Sequence, residues 1–251
     1  MKETVTMWGN TRMIVLTAIT ASVYSAIMIP FKGFQIIPGF TEVRPGAVIP
    51  VTFGILFGPA GAWGSAIGNL IGDIVGGMLS LASIPGFIGN FFFALVAYKL
   101  WGHFKVGIVE KKGFFKDRKK IIMILFISLF SSLAVSFIIS EGGMILGLFP
   151  YKVLAPIIAI NNFIANIIIT PFLIEILYPR VEKWGLRWEE VMEIGERKPS
   201  LIGASFLIAG IAGGWFLSFY LPETIKLLSI EISRHIISLI FFLMIFIGAI
   251  F

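Results

Sequence analysis

The sequence predicts an all-α integral membrane protein, a six-helix bundle followed by two extra transmembrane helices. Three observations predict it. Hydrophobic residues make up 57% of the 251 positions and charged ones only 14%, and mean hydropathy is +0.96. Most of the apolar runs approach the roughly 20 residues that cross a bilayer. Glycine and other small residues recur at helical spacing within those runs, the pattern by which helices pack in lipid, where no hydrophobic effect drives them together. A pI near 9.6 would suggest nucleic acid in a water-soluble chain. Here the basic residues fall in the loops between spans, where they set orientation, so no nucleic-acid partner is expected. The absence of cysteine excludes disulfides, thiolate catalysis and cysteine-ligated metals.

Eight crossings are expected in order: 12–30, 46–58, 60–79, 84–102, 120–139, 152–178, 201–220 and 231–251. The first lacks a small-residue cleavage site and is expected to remain as a span. The second is short and glycine-rich. The polar stretch Pro179–Ser200 carries Trp184, Leu186, Trp188, Val191 and Met192 among charges, the composition of a segment lying along a membrane surface. It divides the chain into a six-span core, 1–178, an interfacial linker, 179–200, and a two-span hairpin, 201–251. With both termini cytoplasmic, fifteen of the twenty basic residues lie on the inner side, in Lys2 and Arg12, the run from Lys99 to Lys120, and the run from Arg180 to Lys198. Lys32, Arg44, Lys152, Lys226 and Arg234 lie outside. That asymmetry satisfies the positive-inside rule for a multi-pass protein of the cell membrane.

The third span is the most informative segment. Gly64, Gly68, Gly72 and Gly76 form one row along the helix, and Gly61, Ser65, Asn69, Asp73 and Gly77 form a second row one residue further round. The first row permits close helix approach. The second carries an amide and a carboxylate, and a charge at membrane depth costs roughly 2.5–3.5 kcal/mol on insertion scales unless it faces protein or water. No Lys or Arg lies inside a neighbouring apolar run, so Asp73 is expected to face a polar cavity.

The topology places the remaining polar groups. Asn90 falls in the outer half of the fourth span, and Asn161, Asn162 and Asn166 lie between the outer end and the middle of the sixth. Glu42 and Arg44 sit in the first outer loop and Glu141 in the third. Each alone reads as ordinary: an interhelical amide, a surface ion pair, a capping carboxylate. Together they indicate a water-filled pocket open to the outside. Glu223, Lys226, Glu231, Arg234 and His235, around the outer turn of the tail, read as solvated loop groups. His103 reads as a surface residue, because no second His, Cys or carboxylate stands at ligand spacing; no metal site and no cofactor are expected.

The first span carries Ala18, Ser22 and Ala26 with Thr17, Ala21 and Ser25 beside them. The second and third spans are joined by the tight turn Phe57-Gly58-Pro59-Ala60-Gly61, followed by the ladder from Gly64 to Asp73. Over residues 12–178 this combination resembles the substrate-binding S components of energy-coupling factor (ECF) transporters, six-helix binders of vitamins and other micronutrients. The resemblance implies a coupling face at Ala18, Ser22 and Ala26 for a shared transmembrane subunit. It also implies an occluded outer pocket drawing on Asn90, Glu141, Asn161 and Asn162, with Glu42 and Arg44 from the first loop. Asn69 and Asp73 join that set from the ladder alone. The loop Gln35–Pro45 is similar to that of queuosine-precursor members, and the two tail spans depart from the six-span pattern.

The function expected is substrate capture for an ATP-driven micronutrient importer. Its partners would be a small polar molecule, membrane lipid, and the ECF coupling and ATPase subunits. Two alternatives remain: an intramembrane lipid-modifying enzyme, and a channel or secondary carrier acting alone. The first needs a metal-binding carboxylate cluster, a histidine base or a nucleophile beside a base, and none is present, so the chain is read as no enzyme. No Walker-type phosphate loop appears, so any ATP use resides in other chains.

Overall fold

The computed structural model describes residues 1–37, 41–42, 44–104, 118–193, 200–222, 224–227 and 230–251. Its helices are α1 (Lys2–Thr6), α2 (Thr11–Met28), α3 (Val48–Phe57), α4 (Pro59–Val75), α5 (Ser83–His103), α6 (Arg118–Ile145), α7 (Tyr151–Lys183), α8 (Trp188–Val191), α9 (Leu201–Tyr220) and α10 (Arg234–Ile250). Two short antiparallel hairpins interrupt the helical pattern: β1 (Gln35–Ile37) with β2 (Thr41–Glu42), and β3 (Thr224–Leu227) with β4 (Ile230–Ser233). Five of the helical segments are long and apolar enough to span a membrane. The segments Pro45–Phe57 and Arg234–Ile250 are apolar but shorter.

The elements follow the apolar runs with informative shifts. Helix α6 continues past 139 to Ile145 and α7 past 178 to Lys183, because polar residues at helix ends keep their backbone bonds satisfied within the helix while their side chains reach water. The last span begins at Arg234 instead of 231, because β4 occupies the preceding residues. Helix α4 stops at Val75, and Gly77 takes φ +67° in the turn that follows. That conformation is open to glycine at no steric cost.

Helix α4 packs along α2 and α5, and α5 along α6. The first glycine row makes the α2 contact possible: a Cβ on Gly68 would lie 2.8 Å from the Ala21 carbonyl, and one on Gly64 would meet Thr20 and the Thr17 carbonyl. Gly61, from the second row, lies against the Phe53 carbonyl of α3. Gly58, at φ +53°, turns the chain between α3 and α4, and the Trp188 ring covers it. Trp188 and Val191 are therefore buried beneath the bundle while Trp184 stays exposed. One face of the linker thus plugs the bundle end.

The two ends of the bundle differ. At the end where α2 begins, α1 folds beneath the helices. Lys99 is fully buried there, its Nζ 3.0 Å from Glu3 Oε1, and the Tyr98 hydroxyl donates to the same oxygen at 2.8 Å. This corrects the placement of Lys99 in a cytoplasmic loop: α1 supplies a counter-charge distant in sequence. His103 is buried too, at 2% exposure, and its ring occupies the space that a Cβ on Gly203 of α9 would need. The surface reading of His103 is corrected by the tail packing over it. The other end, where α2, α4, α6 and α9 finish, is called distal below.

Candidate functional site

At the distal end, four segments bring polar side chains to one cavity. Its walls include Lys32 from the turn after α2, Arg44 from the segment before α3, Asn69 and Asp73 from α4, Ser83 and Gly86 from the start of α5, Ile139 and Gly143 from α6, and Leu154 and Ile158 from α7. Asn69 and Asp73 share a face because they are four residues apart in a helix.

The side chains form one continuous chain. Lys32 Nζ donates to Asp73 Oδ1 at 2.7 Å, and Asn69 Nδ2 donates to Asp73 Oδ2 at 3.4 Å. Arg44 Nη2 donates to Asn69 Oδ1 at 2.7 Å and to the Tyr24 hydroxyl at 3.3 Å. The Tyr24 hydroxyl donates to Asn90 Oδ1 at 2.7 Å, and Asn90 Nδ2 caps the Gly86 carbonyl at 2.8 Å. All six residues are less than one-tenth exposed. A polar chain buried at this depth is tolerable because each member is hydrogen-bonded to the next.

Asp73 lines a small cavity and also has a basic partner there, which hydropathy alone had hidden. Lys32 lies just past the apolar run of the first span, and its long stem carries the ammonium back to α4. Tyr24 is absent from the sequence-level set. The signal for it is physical: a tyrosine inside a span needs a partner for its hydroxyl, and it lies on the inward row of α2 with Thr17, Thr20, Ala21 and Met28.

The other candidates are placed elsewhere. Glu141 does not line the cavity. Its Oε1 is 2.6 Å from His235 Nδ1 and its Oε2 is 3.8 Å from Arg234 Nη2, so it joins α6 to the tail. The solvated reading of Arg234 is corrected: it is 2% exposed, and its Nη1 donates to the Ser218 carbonyl at 3.1 Å. Asn162 is 1% exposed and follows Ile158 by one turn on the same face of α7; among the described residues neither end of its amide has a hydrogen-bond partner. Asn161 is half-buried on the neighbouring face. Asn166 clasps α7 to the turn before α3, its Nδ2 donating to the Ala47 carbonyl at 3.2 Å. Glu42 keeps its backbone in β2, and its side chain lies outside the described residues.

The cavity encloses about 50 Å³, room for a few waters at about 10–15 Å³ each. A molecule the size of a vitamin requires side chains to move apart, and the Lys32 and Arg44 segments flank the β1–β2 hairpin. Among the described residues no group of three or more histidines and carboxylates could hold a metal. On the outside of α2, Ala18, Ser22 and Ala26 are all exposed, forming a strip of small side chains.

A family model described as QueT transporter matches residues 14–179, more than half of the chain. No curated protein and no solved structure matches it.

Proposed function

This chain belongs to the QueT transporter family, a family of ECF S components, and from that premise we propose that its distal cavity captures a queuosine precursor or a similarly small, polar heterocycle. It is a transport protein of the membrane and not an enzyme. The observation that carries the reading is the buried chain from Lys32 through Asp73, Asn69, Arg44 and Tyr24 to Asn90. It offers a carboxylate, two basic groups and an amide at the cavity wall, with the Tyr24 phenol and the Asn90 amide bonded behind them. A planar ligand with donor and acceptor edges can replace these internal bonds with its own, so that no buried polar group is left unpaired on either side of the exchange.

In this reading Lys32 leaves Asp73 when ligand arrives, Asp73 takes a ligand donor, and Arg44 and Asn69 take acceptors. Asn90 and Asn162 provide amides deeper along α5 and α7, and Asn161 and Glu42 border the approach. The strip Ala18, Ser22 and Ala26 meets a coupling subunit that, with its ATPases, reorients the core, 1–178, together with the hairpin, 201–251, to which residues 179–200 link it. Exposed small residues on α2 support this, since they let a partner helix come close.

The test is equilibrium binding to the purified chain. Micromolar or tighter binding of a queuosine precursor, lost in Asn69→Ala while the unfolding temperature holds, supports the assignment. Undiminished binding in both Asn69→Ala and Arg44→Gln would place the ligand elsewhere.

A further inference from the structure

The seam between the six-helix body and the tail holds a second cavity, of about 270 Å³, at the distal end. Tyr151, Lys152, Pro222 and Arg234 are among the residues lining it. Two helices begin there. Tyr151 is the first residue of α7, whose N-cap Pro150 gives no side-chain cap, and Arg234 is the first residue of α10. Helix starts present unpaired amides and a partial positive charge. At α10 the Ser233 hydroxyl accepts from one of these amides, the His235 N–H, at 3.3 Å, while α7 has no side-chain cap, and the two starts at one cavity together favour an anion.

The side chains reinforce that polarity. Arg234 is 2% exposed, its guanidinium lies 5.6 Å from the Tyr151 ring centroid, and its Nε has no hydrogen-bond partner among the described residues. Lys152 is exposed at the first turn of α7 and forms no ion pair among the described residues. The facing carboxylate is Glu141, 3.8 Å from Arg234 and shared with His235. Among the described residues the lining thus carries two basic side chains, Lys152 and Arg234, and no acidic one, and the carboxylate beside Arg234 already has a second partner.

We propose that this seam binds a phosphate group, supplied by the headgroup of an anionic phospholipid. The surroundings favour a lipid over a free anion. Val153, Leu146, Tyr220 and Ile236 are exposed around the seam, and Trp215, Phe219 and Tyr220 form a ring cluster at the end of α9. Tryptophan and tyrosine concentrate at headgroup depth. The site stands apart from ligand capture in the first cavity but shares a wall with it. Met144 and Tyr151 of the seam neighbour Gly143 and Leu154, which line the polar cavity.

Thermal unfolding of the full chain in neutral detergent tests the proposal, with phosphatidylglycerol, a diacylglycerol of the same acyl chains, or inorganic phosphate added. Phosphatidylglycerol should raise the unfolding temperature by several degrees and diacylglycerol should not. Lys152→Glu, at an exposed position, should raise the phosphatidylglycerol concentration at half effect roughly tenfold. Arg234→Gln is paired with Glu141→Gln so that no buried charge is orphaned, and the double variant should lose the effect. Protection by inorganic phosphate, weakened by Lys152→Glu, would support the phosphate site with solvent as its source. Equal protection by phosphatidylglycerol and diacylglycerol, or a phosphatidylglycerol response unchanged in Lys152→Glu, would overturn it.

Discussion

Lys32 Nζ lies 2.7 Å from Asp73 Oδ1, joining a turn that follows the first span to a carboxylate inside the third. Both side chains are nearly buried, so each charge is tolerable mainly because the other is present. Removing one partner of such a pair typically costs about 3–5 kcal/mol. Asp73→Ala and Lys32→Ala should each lower the unfolding temperature markedly. The double variant Lys32→Met, Asp73→Leu should recover most of the loss and still fail to bind ligand. Full stability in either single variant would mean that the pair carries no such burden.

The glycine face of α4 yields a steric prediction. A side chain on Gly68 drives into the Ala21 backbone, and backbone cannot step aside as a flexible side chain can. Overpacking typically costs about 1–3 kcal/mol and more where backbone must shift. Gly68→Leu should sharply reduce monodisperse protein on size-exclusion chromatography. Gly33→Ala, where no atom lies within 4 Å, should behave as wild type.

The strip on α2 tests coupling independently of binding. Ala18→Leu with Ser22→Leu adds bulk at exposed positions, so the chain should fold and bind ligand normally. Co-purification with a coupling subunit should fall below detection. Normal assembly of that variant would show the strip to be plain lipid-facing surface.

Energy supply separates the transport mechanisms. The chain has no Walker-type loop, so in liposomes it should bind ligand without accumulating it. Concentrative uptake should appear when coupling and ATPase subunits with ATP are added. Uptake by this chain alone, driven by a proton or sodium gradient, would make it a self-sufficient carrier.

The contact between α6 and the tail supports a further variant. The Trp215 Nε1 donates to Ser136 Oγ at 3.0 Å, and Ser136 Oγ donates to the Ala155 carbonyl at 2.6 Å. Ser136→Ala leaves the Trp215 indole N–H without this partner and should cost about 1–3 kcal/mol, read as a lowered unfolding temperature with ligand affinity unchanged.

Much of this architecture is legible in the residues. Each apolar run became a helix, and the double row from Gly61 to Asp73 identified both the close α2–α4 contact and the inward carboxylate. What was hidden depends on residues far apart in sequence. Lys99 looks like the edge of a basic loop until Glu3 folds beneath it, and His103 looks exposed until Gly203 packs over its ring. Glu141 and Arg234 lie at two separate turns, and only the docking of the tail makes them partners. Hydropathy averages over a window, so it registers the stem of Lys32 as a boundary and misses where the ammonium ends.

The Ser136 joint also bears on motion. One hydroxyl ties α6, α7 and α9 together, and Phe137 of α6 packs against Gly214 of α9. A body fastened this way turns as eight helices, not six. Any rigid reorientation therefore sweeps aside the lipid belonging to the tail as well, and a subunit that tips this protein works against the drag of a wider raft.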